Sequence, residues 1–223
     1  MKFVSVSQLF SCALLAMLFA GQPVHAQPEL SASQRADLDR VNTYLNRIDQ
    51  LQAGFLQLAP DGAVSRGNFL LDRPGRMRFE YFPPEDLLII ADGTWVAVKE
   101  GGAPAIERYP IGSTPLSLLL SDKVDLGKDA QVVSVRRDGG LLRITLRDSK
   151  EPEKGEITLT FADRGGPADS IGPGVGLELR QWVVIDAQGL STEIGLSDVQ
   201  PAGKFDPKLF ILNDPAPGGQ NKR

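Results

Sequence analysis

Alternation of apolar and polar residues with a period of two is the feature that most constrains this fold. It is clearest at 77–81, 142–147, 157–161 and 190–197. Less regular strands are predicted at 53–59, 64–71, 86–91, 93–99, 105–109, 131–136 and 177–186. Because turn sequences separate many of these runs, the pattern predicts about eleven strands with short connections. This favours a mainly β protein with a meandering antiparallel sheet over βαβ units.

One amphipathic helix precedes the strands. Ser31 and Gln34 have the spacing of a capping box, in which each side chain bonds the other residue's backbone. The apolar residues that follow recur at steps of three and four, which is typical of one helix face: Leu38, Val41, Leu45 and Ile48. We expect the helix at 31–50 to end near Leu51.

A second, shorter helix is predicted at 114–121, where Thr114 and Pro115 provide a cap and a first-turn proline before Leu116 and Leu119. So short a helix is unstable alone and must rest on apolar surface. The apolar face of the sheet must also be covered. Both helices therefore suit a lid over a curled sheet. Two arrangements remain open: a solid core, or a cup whose lining binds an apolar ligand.

The first 26 residues have the pattern of a secretory signal peptide. Lys2 precedes an apolar run at 9–20, and small residues around His25 provide a cleavage site after Ala26. The run is too short to span a bilayer as a stop-transfer helix. We therefore expect residues 1–26 to be cleaved and residues 27–223 to form a single domain outside the cytoplasm.

Cleavage would remove the chain's one cysteine and one histidine, Cys12 and His25. The mature chain would then lack the side chains needed for a Cys-His or Ser-His-Asp nucleophilic site, or for a thiolate or imidazole zinc site. Cys12 lies inside the apolar run, whereas a lipidated cysteine should follow it. The net charge is −4, so the chain lacks the excess of basic residues that is typical of nucleic-acid-binding proteins. We expect no cofactor, no metal and no nucleic-acid partner.

Three carboxylates lie close together in sequence, but nothing selects a catalytic pair among them. Glu80 alternates with aromatic residues and should face water, while Glu85 and Asp86 follow a rigid proline bend. Residues 164–176 are rich in glycine and proline and should form a mobile loop, and residues 214–223 should form a disordered tail. The sequence therefore offers no catalytic constellation.

The segment from 55 to 93 resembles the periplasmic outer-membrane lipoprotein carriers of Gram-negative bacteria, the LolA-type family. The resemblance is carried by Phe55, Gln57, the run at 67–79, Tyr81, Pro84 and the run at 88–93. The short helix at Thr114, and Lys204, Phe205 and Phe210 near the end, also lie where that family has similar segments. The order of helix, strands, short helix and strands agrees over the mature chain.

The resemblance implies an unclosed antiparallel β-barrel with an α-helical lid over an apolar cavity. It also implies a function without bond chemistry. Such carriers take acylated outer-membrane lipoproteins from an inner-membrane ATP-driven release complex, shelter their acyl chains, and deliver them to an outer-membrane receptor. By this resemblance the protein is expected to be a monomer in the periplasm of a Gram-negative bacterium, and to be no enzyme.

The resemblance assigns a lid latch to Arg73, because the family's arginine before this proline bonds backbone carbonyls of the lid helices. A guanidinium has five donors and suits several carbonyls at once. The alternative is that Arg73 is the first residue of an exposed type II turn with Pro74 and Gly75. Candidates for the cavity lining are Leu45, Phe55, Phe69, Met77, Phe79, Tyr81, Ile89, Leu116, Leu119 and Trp182. Each could equally be plain core.

Two other functions remain as alternatives. A periplasmic regulatory module of the same fold could sense mislocalised lipoproteins, although such modules carry a further domain for which the chain has little room. A hydrolase acting on a lipid or a glycan is the less favoured alternative, since the mature chain would hold no histidine.

Overall fold

The structure is a computed structural model that describes residues 29–102, 105–114, 117–166 and 176–212. The helices and strands given below all belong to the compact unit Ser31–Arg223. The expected signal peptide and C-terminal tail lie outside the described residues, as do Leu116 and most of the loop expected at 164–176. Within the described ranges, no helix is long and apolar enough to cross a membrane.

One sheet of eleven strands makes up most of the fold, which confirms the predicted mainly β class. Its strands are β1 Gln50–Leu58, β2 Val64–Asp72, β3 Arg76–Tyr81, β4 Leu87–Asp92, β5 Trp95–Glu100, β6 Glu107–Pro110, β7 Ala130–Asp138, β8 Leu141–Asp148, β9 Gly155–Asp163, β10 Leu177–Asp186 and β11 Ser191–Pro201. Neighbours pair antiparallel in the order β6-β5-β4-β3-β2-β1-β11-β10-β9-β8-β7. Strands β6 and β7 stand at opposite edges, so the barrel is unclosed.

The sheet curls so that its two halves face each other. Phe79 on β3 and Trp182 on β10 are separated by three intervening strands. Because neighbouring strands lie about 4.8 Å apart, a flat sheet would separate these two strands by roughly 19 Å. Their ring centroids are 6.2 Å apart. The inner face of the curled sheet is therefore concave, with aromatic side chains meeting across it.

Helix α1 spans Ala32–Leu45 and begins with the predicted capping box of Ser31 and Gln34. It covers the half of the sheet formed by β7 to β10, where Tyr44 contacts Phe161 edge to face at 5.5 Å. That half is filled by fully buried side chains, among them Leu142, Ile144, Leu146, Ile157 and Leu159. Solid core thus occupies one half of the concave face.

The predicted end of this helix near Leu51 is wrong. The helix ends at Leu45, with Asn46 as its C-cap, and β1 has already begun at Gln50. Leu51 pairs with Leu71 of β2. Tertiary pairing in the sheet therefore overrides the helical spacing that continues through Ile48.

Two short helices connect β6 to β7 across the opening of the barrel. They are α2, Ser117–Leu120, and α3, Leu126–Asp129. We call residues 117–129 the lid segment. The described part of the predicted helix at 114–121 is shorter than expected, and Thr114 is the C-cap of a preceding 3₁₀ turn, Ile111–Ser113. Helix α3 was not predicted, because its four residues carry no helical period.

The last described residues pack on the outer face of the sheet. Residues 204–212, which we call the C-terminal strap, include the 3₁₀ turn Pro207–Phe210. Phe210 is buried, and the Arg76 guanidinium lies 5.6 Å from its ring centroid. Arg78 donates a hydrogen bond to the Leu209 carbonyl at 3.0 Å. Strand β3 is therefore covered on both of its faces.

Candidate functional site

A cavity of about 480 Å³ opens on the inner face of the sheet, in the half that α1 does not fill. Sites for small molecules typically measure about 300–1,000 Å³. Inward-facing residues of β3, β4, β5, β10 and β11 provide the apolar lining, which consists of Met77, Phe79, Tyr81, Ile89, Val96, Val98, Trp182, Val184 and Ile194. The cavity is therefore suited to an apolar ligand.

An aromatic cluster forms the rigid wall of the cavity. The ring centroid of Phe55 lies 5.0 Å from that of Phe79 and 4.9 Å from that of Tyr81, both edge to face. Phe69 lies 4.7 Å from Phe79 and 5.6 Å from Trp182. Such aromatic pairs stabilise beyond the area they bury, by about 0.5–1.5 kcal/mol each. The wall is thus well packed from behind.

Gly67 makes room for this cluster. It lies opposite Phe55 in the pairing of β1 with β2. A Cβ at this position would lie 2.7 Å from the Phe55 ring and 2.0 Å from the Glu80 carbonyl oxygen. Only glycine lets the ring and the neighbouring strand approach so closely.

A second apolar space lies between the lid and the aromatic wall, and it measures only about 20 Å³. Leu45 of α1, Leu119 of the lid segment and Phe69 of β2 contribute to its lining. Met77 and Trp182 line both spaces. These two side chains therefore separate the closed space under the lid from the large cavity.

The large cavity has one polar end. Its polar lining residues lie near the strand ends around the β10–β11 turn and in the 3₁₀ turn before the lid: Gln57, Ser113, Thr114, Lys154, Asp186, Gln188 and Thr192. Tyr81, the last residue of β3, donates a hydrogen bond from its hydroxyl to Gln57 Oε1 at 2.6 Å. Burial raises the pKa of the Tyr81 phenol to about 12, so Tyr81 remains a neutral donor at physiological pH.

Arg73 connects the C-terminal ends of the two lid elements. Its Nη1 donates to the Leu45 carbonyl and, at 3.5 Å, to the Ile48 carbonyl at the end of α1. Its Nε donates to the Ser121 carbonyl at 3.1 Å, and its Nη2 donates to the carbonyls of Ser121 and Asp122 just after α2. One guanidinium thus binds carbonyls from both elements.

Nearby carbonyls and carboxylates partly offset the cost of burying the charge of Arg73. Unpaired carbonyls at a helix C-terminus carry partial negative charge, so a guanidinium there is stabilised. Burial lowers the pKa of Arg73, while Asp49 and Asp122 oppose that shift. The side chain is 9% exposed, so the alternative of an exposed turn residue is wrong.

Two asparagines at the C-terminal end of α1, Asn42 and the C-cap Asn46, join the helix directly to the lid segment. Asn46 accepts a hydrogen bond from the Val124 N–H at 2.8 Å and donates to the Val124 carbonyl at 2.7 Å. Asn42 accepts from the Leu126 N–H at 2.9 Å. Because they are four residues apart, both side chains project from the same helix face. We call these three bonds the asparagine clip.

The middle of α1 is fixed to the sheet by an ion-pair network. Arg40 binds both carboxylate oxygens of Asp163 on β9, at 2.9 and 2.8 Å. Arg137 on β7 binds Asp37 and, at 2.7 Å, Asp163. The hydrogen bond from Arg40 is the main reason that the pKa of Asp163 is lowered to about 2. These contacts anchor α1 away from the end that Arg73 holds.

The structure brings the expected lining residues together only in part. Met77, Phe79, Tyr81, Ile89 and Trp182 line the large cavity. Leu45, Phe69 and Leu119 line the small space under the lid, and Phe55 belongs to the aromatic cluster without lining the large cavity. Leu116 lies outside the described residues.

Four apolar lining residues were not predicted: Val96, Val98, Val184 and Ile194. Pairing of β4 with β5 places Val98 opposite Ile89, and the same register places Val96 on the inner face. Both valines could have been identified from the sequence by aligning the alternating residues of β5 with those of β4. Gln57 was recognised as a residue of the family resemblance, but not as part of the cavity.

The fold is thus a curled, unclosed sheet with an apolar cavity on its inner face and a helical cover. The family model described as "Outer membrane lipoprotein carrier protein LolA" matches residues 46–213. The chain belongs to this family.

Among the related proteins is an outer-membrane lipoprotein carrier protein of Halorhodospira halophila, which is 30% identical over 195 residues, or 83% of this chain and 86% of the relative. An uncharacterized protein of Rickettsia prowazekii is 28% identical over 127 residues, which is 57% of this chain. The match spans 60% of the length of that relative. A solved LolA superfamily protein from Nitrosomonas europaea aligns with 12% identity and a TM-score of 0.47, over 80% of this chain and 97% of its own.

Proposed function

We propose that the protein is a periplasmic carrier that binds the acyl chains of lipoproteins and transports them from the inner to the outer membrane. The observation that carries this proposal is the apolar cavity of about 480 Å³ under a helical cover, in a chain of the lipoprotein carrier family. Its lining offers aromatic and aliphatic side chains and no described nucleophile paired with a base. The proposed task is binding and release, without bond chemistry.

The energetics favour a protein with such a cavity. Exposing an acyl chain of about 15 methylenes to water costs on the order of 12 kcal/mol, at about 0.8 kcal/mol each. Transfer from a membrane into an apolar cavity avoids most of this cost, because both surroundings are apolar. The balance between uptake and release is then determined by the cover of the cavity.

Arg73 is the residue that we propose as the lid latch. Its bonds to carbonyls of α1 and the lid segment stabilise the closed, empty state. A ligand that needs the lid displaced must compete with these bonds, which weakens binding. The latch would therefore favour release once an acceptor is present.

The proposed partners follow from this function. They are acylated outer-membrane lipoproteins as cargo, an inner-membrane ATP-driven release complex as donor, and an outer-membrane receptor, if present, as acceptor. Delivery to the periplasm would depend on the signal peptide expected at 1–26.

The experiment is to purify the protein from periplasm after depletion of the outer-membrane receptor and to analyse it by native mass spectrometry. We expect a copurified lipoprotein that retains its acyl chains. Val98→Trp, which adds bulk inside the cavity, should lose this cargo, whereas Val133→Trp on exposed β7 should retain it. Absence of any acylated cargo from the wild-type protein would overturn the proposal.

A further inference from the structure

The polar end of the cavity contains one amide that is held in position but lacks an acceptor. Gln57 accepts the Tyr81 hydroxyl on its Oε1 at 2.6 Å. Its Nε2 carries two donor hydrogens, and no described residue accepts a hydrogen bond from it. The side chain lines the cavity, so these hydrogens are available to a ligand.

The orientation of this amide is fixed by the wall behind it. Tyr81 is buried and is held edge to face against Phe55, which itself occupies the space left by Gly67. A neutral phenol is a hydrogen-bond donor, so the amide presents its oxygen to Tyr81 and its NH₂ group elsewhere. The wall therefore maintains the direction of the two donors.

The other hydrogen-bond donors at this end are mostly engaged by the protein. Ser113 donates to the Pro110 carbonyl at 2.6 Å, and Thr114 donates to the Ile111 carbonyl at 3.2 Å. Lys154 is paired with Glu151 at 2.5 Å. Gln188 lies exposed in the β10–β11 turn, and no described residue forms a side-chain hydrogen bond that would hold the Thr192 hydroxyl in place. Gln57 is thus the lining donor that is both held by a buried partner and still available.

We propose that Gln57 binds the carbonyl oxygen that joins an acyl chain to its head group, and so sets the direction in which the chain lies. This rests on the proposed function, in which the ligand is acylated. A bound chain displaces water from Gln57, and a desolvated donor without an acceptor is costly. An ester or amide carbonyl placed there removes that cost. The hydrocarbon then extends toward Met77 and Trp182.

The inference predicts discrimination between two kinds of lipid linkage. The probes are a lipopeptide whose N-terminal cysteine carries a thioether-linked glycerol with two lauroyl esters, and the same lipopeptide with both chains joined through ethers. The ether probe lacks the carbonyl oxygens at these linkages. The wild-type protein should bind the ester probe roughly tenfold more tightly, as expected for one buried hydrogen bond.

Variants at Gln57 and Tyr81 separate this role from a structural one. Gln57→Met combined with Tyr81→Phe removes both partners, so neither is left buried and unsatisfied. This double variant should bind both probes equally, so the roughly tenfold preference for the ester should be lost. The matched control is Gln52→Met, on the outer face of the same strand, which should retain the preference for the ester.

The outcomes are distinct. Equal wild-type affinity for the two probes, or a preference that persists in the double variant, would overturn the role of Gln57 while the carrier function stands. If the wild-type protein binds neither probe, the proposed function itself fails, and this inference fails with it. Affinities can be followed by displacement of a fluorescent fatty-acid probe, with circular dichroism confirming that each variant is folded.

Discussion

Replacing Arg73 with leucine removes every hydrogen bond that this side chain makes to the C-terminal ends of the two lid elements. The bonded carbonyls belong to Leu45 and Ile48 on one side, and to Ser121 and Asp122 on the other. The leucine keeps an apolar side chain against the small space under the lid. The closed state should therefore be weakened while the sheet stays intact.

The size of the effect follows from the contacts. A hydrogen bond to a charged group contributes about 1.5–3 kcal/mol, and one bond to each lid element at the lower value gives about 3 kcal/mol. Since about 1.4 kcal/mol corresponds to a factor of ten, the equilibrium between closed and open lids should shift by roughly 100-fold. Cargo that competes with the closed state should then dissociate up to about 100-fold less readily.

The assay is transfer of a fluorescent lipopeptide from the purified protein to the outer-membrane receptor. We expect Arg73→Leu to load as the wild type does but to transfer its cargo much more slowly. Arg73→Lys, which keeps the charge but not the planar fork, should fall between them. Arg35→Leu, an exposed position on α1, controls for loss of a positive charge. Wild-type transfer by Arg73→Leu would refute the latch.

Three further predictions concern the wall, the anchor and the clip. Gly67→Ala should lower the free energy of unfolding by about 1–3 kcal/mol in urea denaturation, because overpacking costs this much. Gly203→Ala should leave it unchanged, because nothing lies within 4 Å of the added Cβ. Equal stability of both variants would contradict the packing argument. Because the pKa of Asp163 is lowered to about 2, its carboxylate contributes fully to the free energy of unfolding above about pH 4, and this contribution is lost as the pH falls toward 2. In Asp163→Asn the free energy of unfolding should therefore depend less on pH in that interval. An unchanged acid transition would count against the ion-pair network. Asn46→Ala leaves the Val124 backbone without its two bonds and should speed hydrogen exchange there in the empty protein; unaltered exchange would show that the clip is dispensable.

Alternation, less regular apolar runs and turn sequences together predicted about eleven strands, which is the number observed. They could not tell cavity from core. Leu159 and Val98 both occupy inward positions of alternating strands, yet Leu159 is fully buried and Val98 lines the cavity. The difference arises because α1 fills one half of the curled sheet and leaves the other open, which is a property of tertiary packing.

The ends of the lid elements could not be predicted from the local sequence pattern either. Helix α1 stops at Leu45, where Asn46 binds the backbone of Val124, almost eighty positions further along the chain. No nearby residue signals this partner. The C-terminal strap was marked only by the family resemblance of Phe205 and Phe210, since its short 3₁₀ turn has no period to detect.

The C-terminal strap has a consequence for the range of chain lengths that the cavity can accept. Strand β3 provides Met77, Phe79 and Tyr81 to the inside, while Phe210 and the strap cover it from outside. A strand that is packed on both faces is not easily displaced by a ligand, because close-packed interiors transmit strain instead of absorbing it. For the proposed acyl cargo, we expect extra methylenes to be accommodated past Met77, in the space beneath the lid. Longer chains should hold the lid further from the wall, so the degree of opening would report the length of the bound chain.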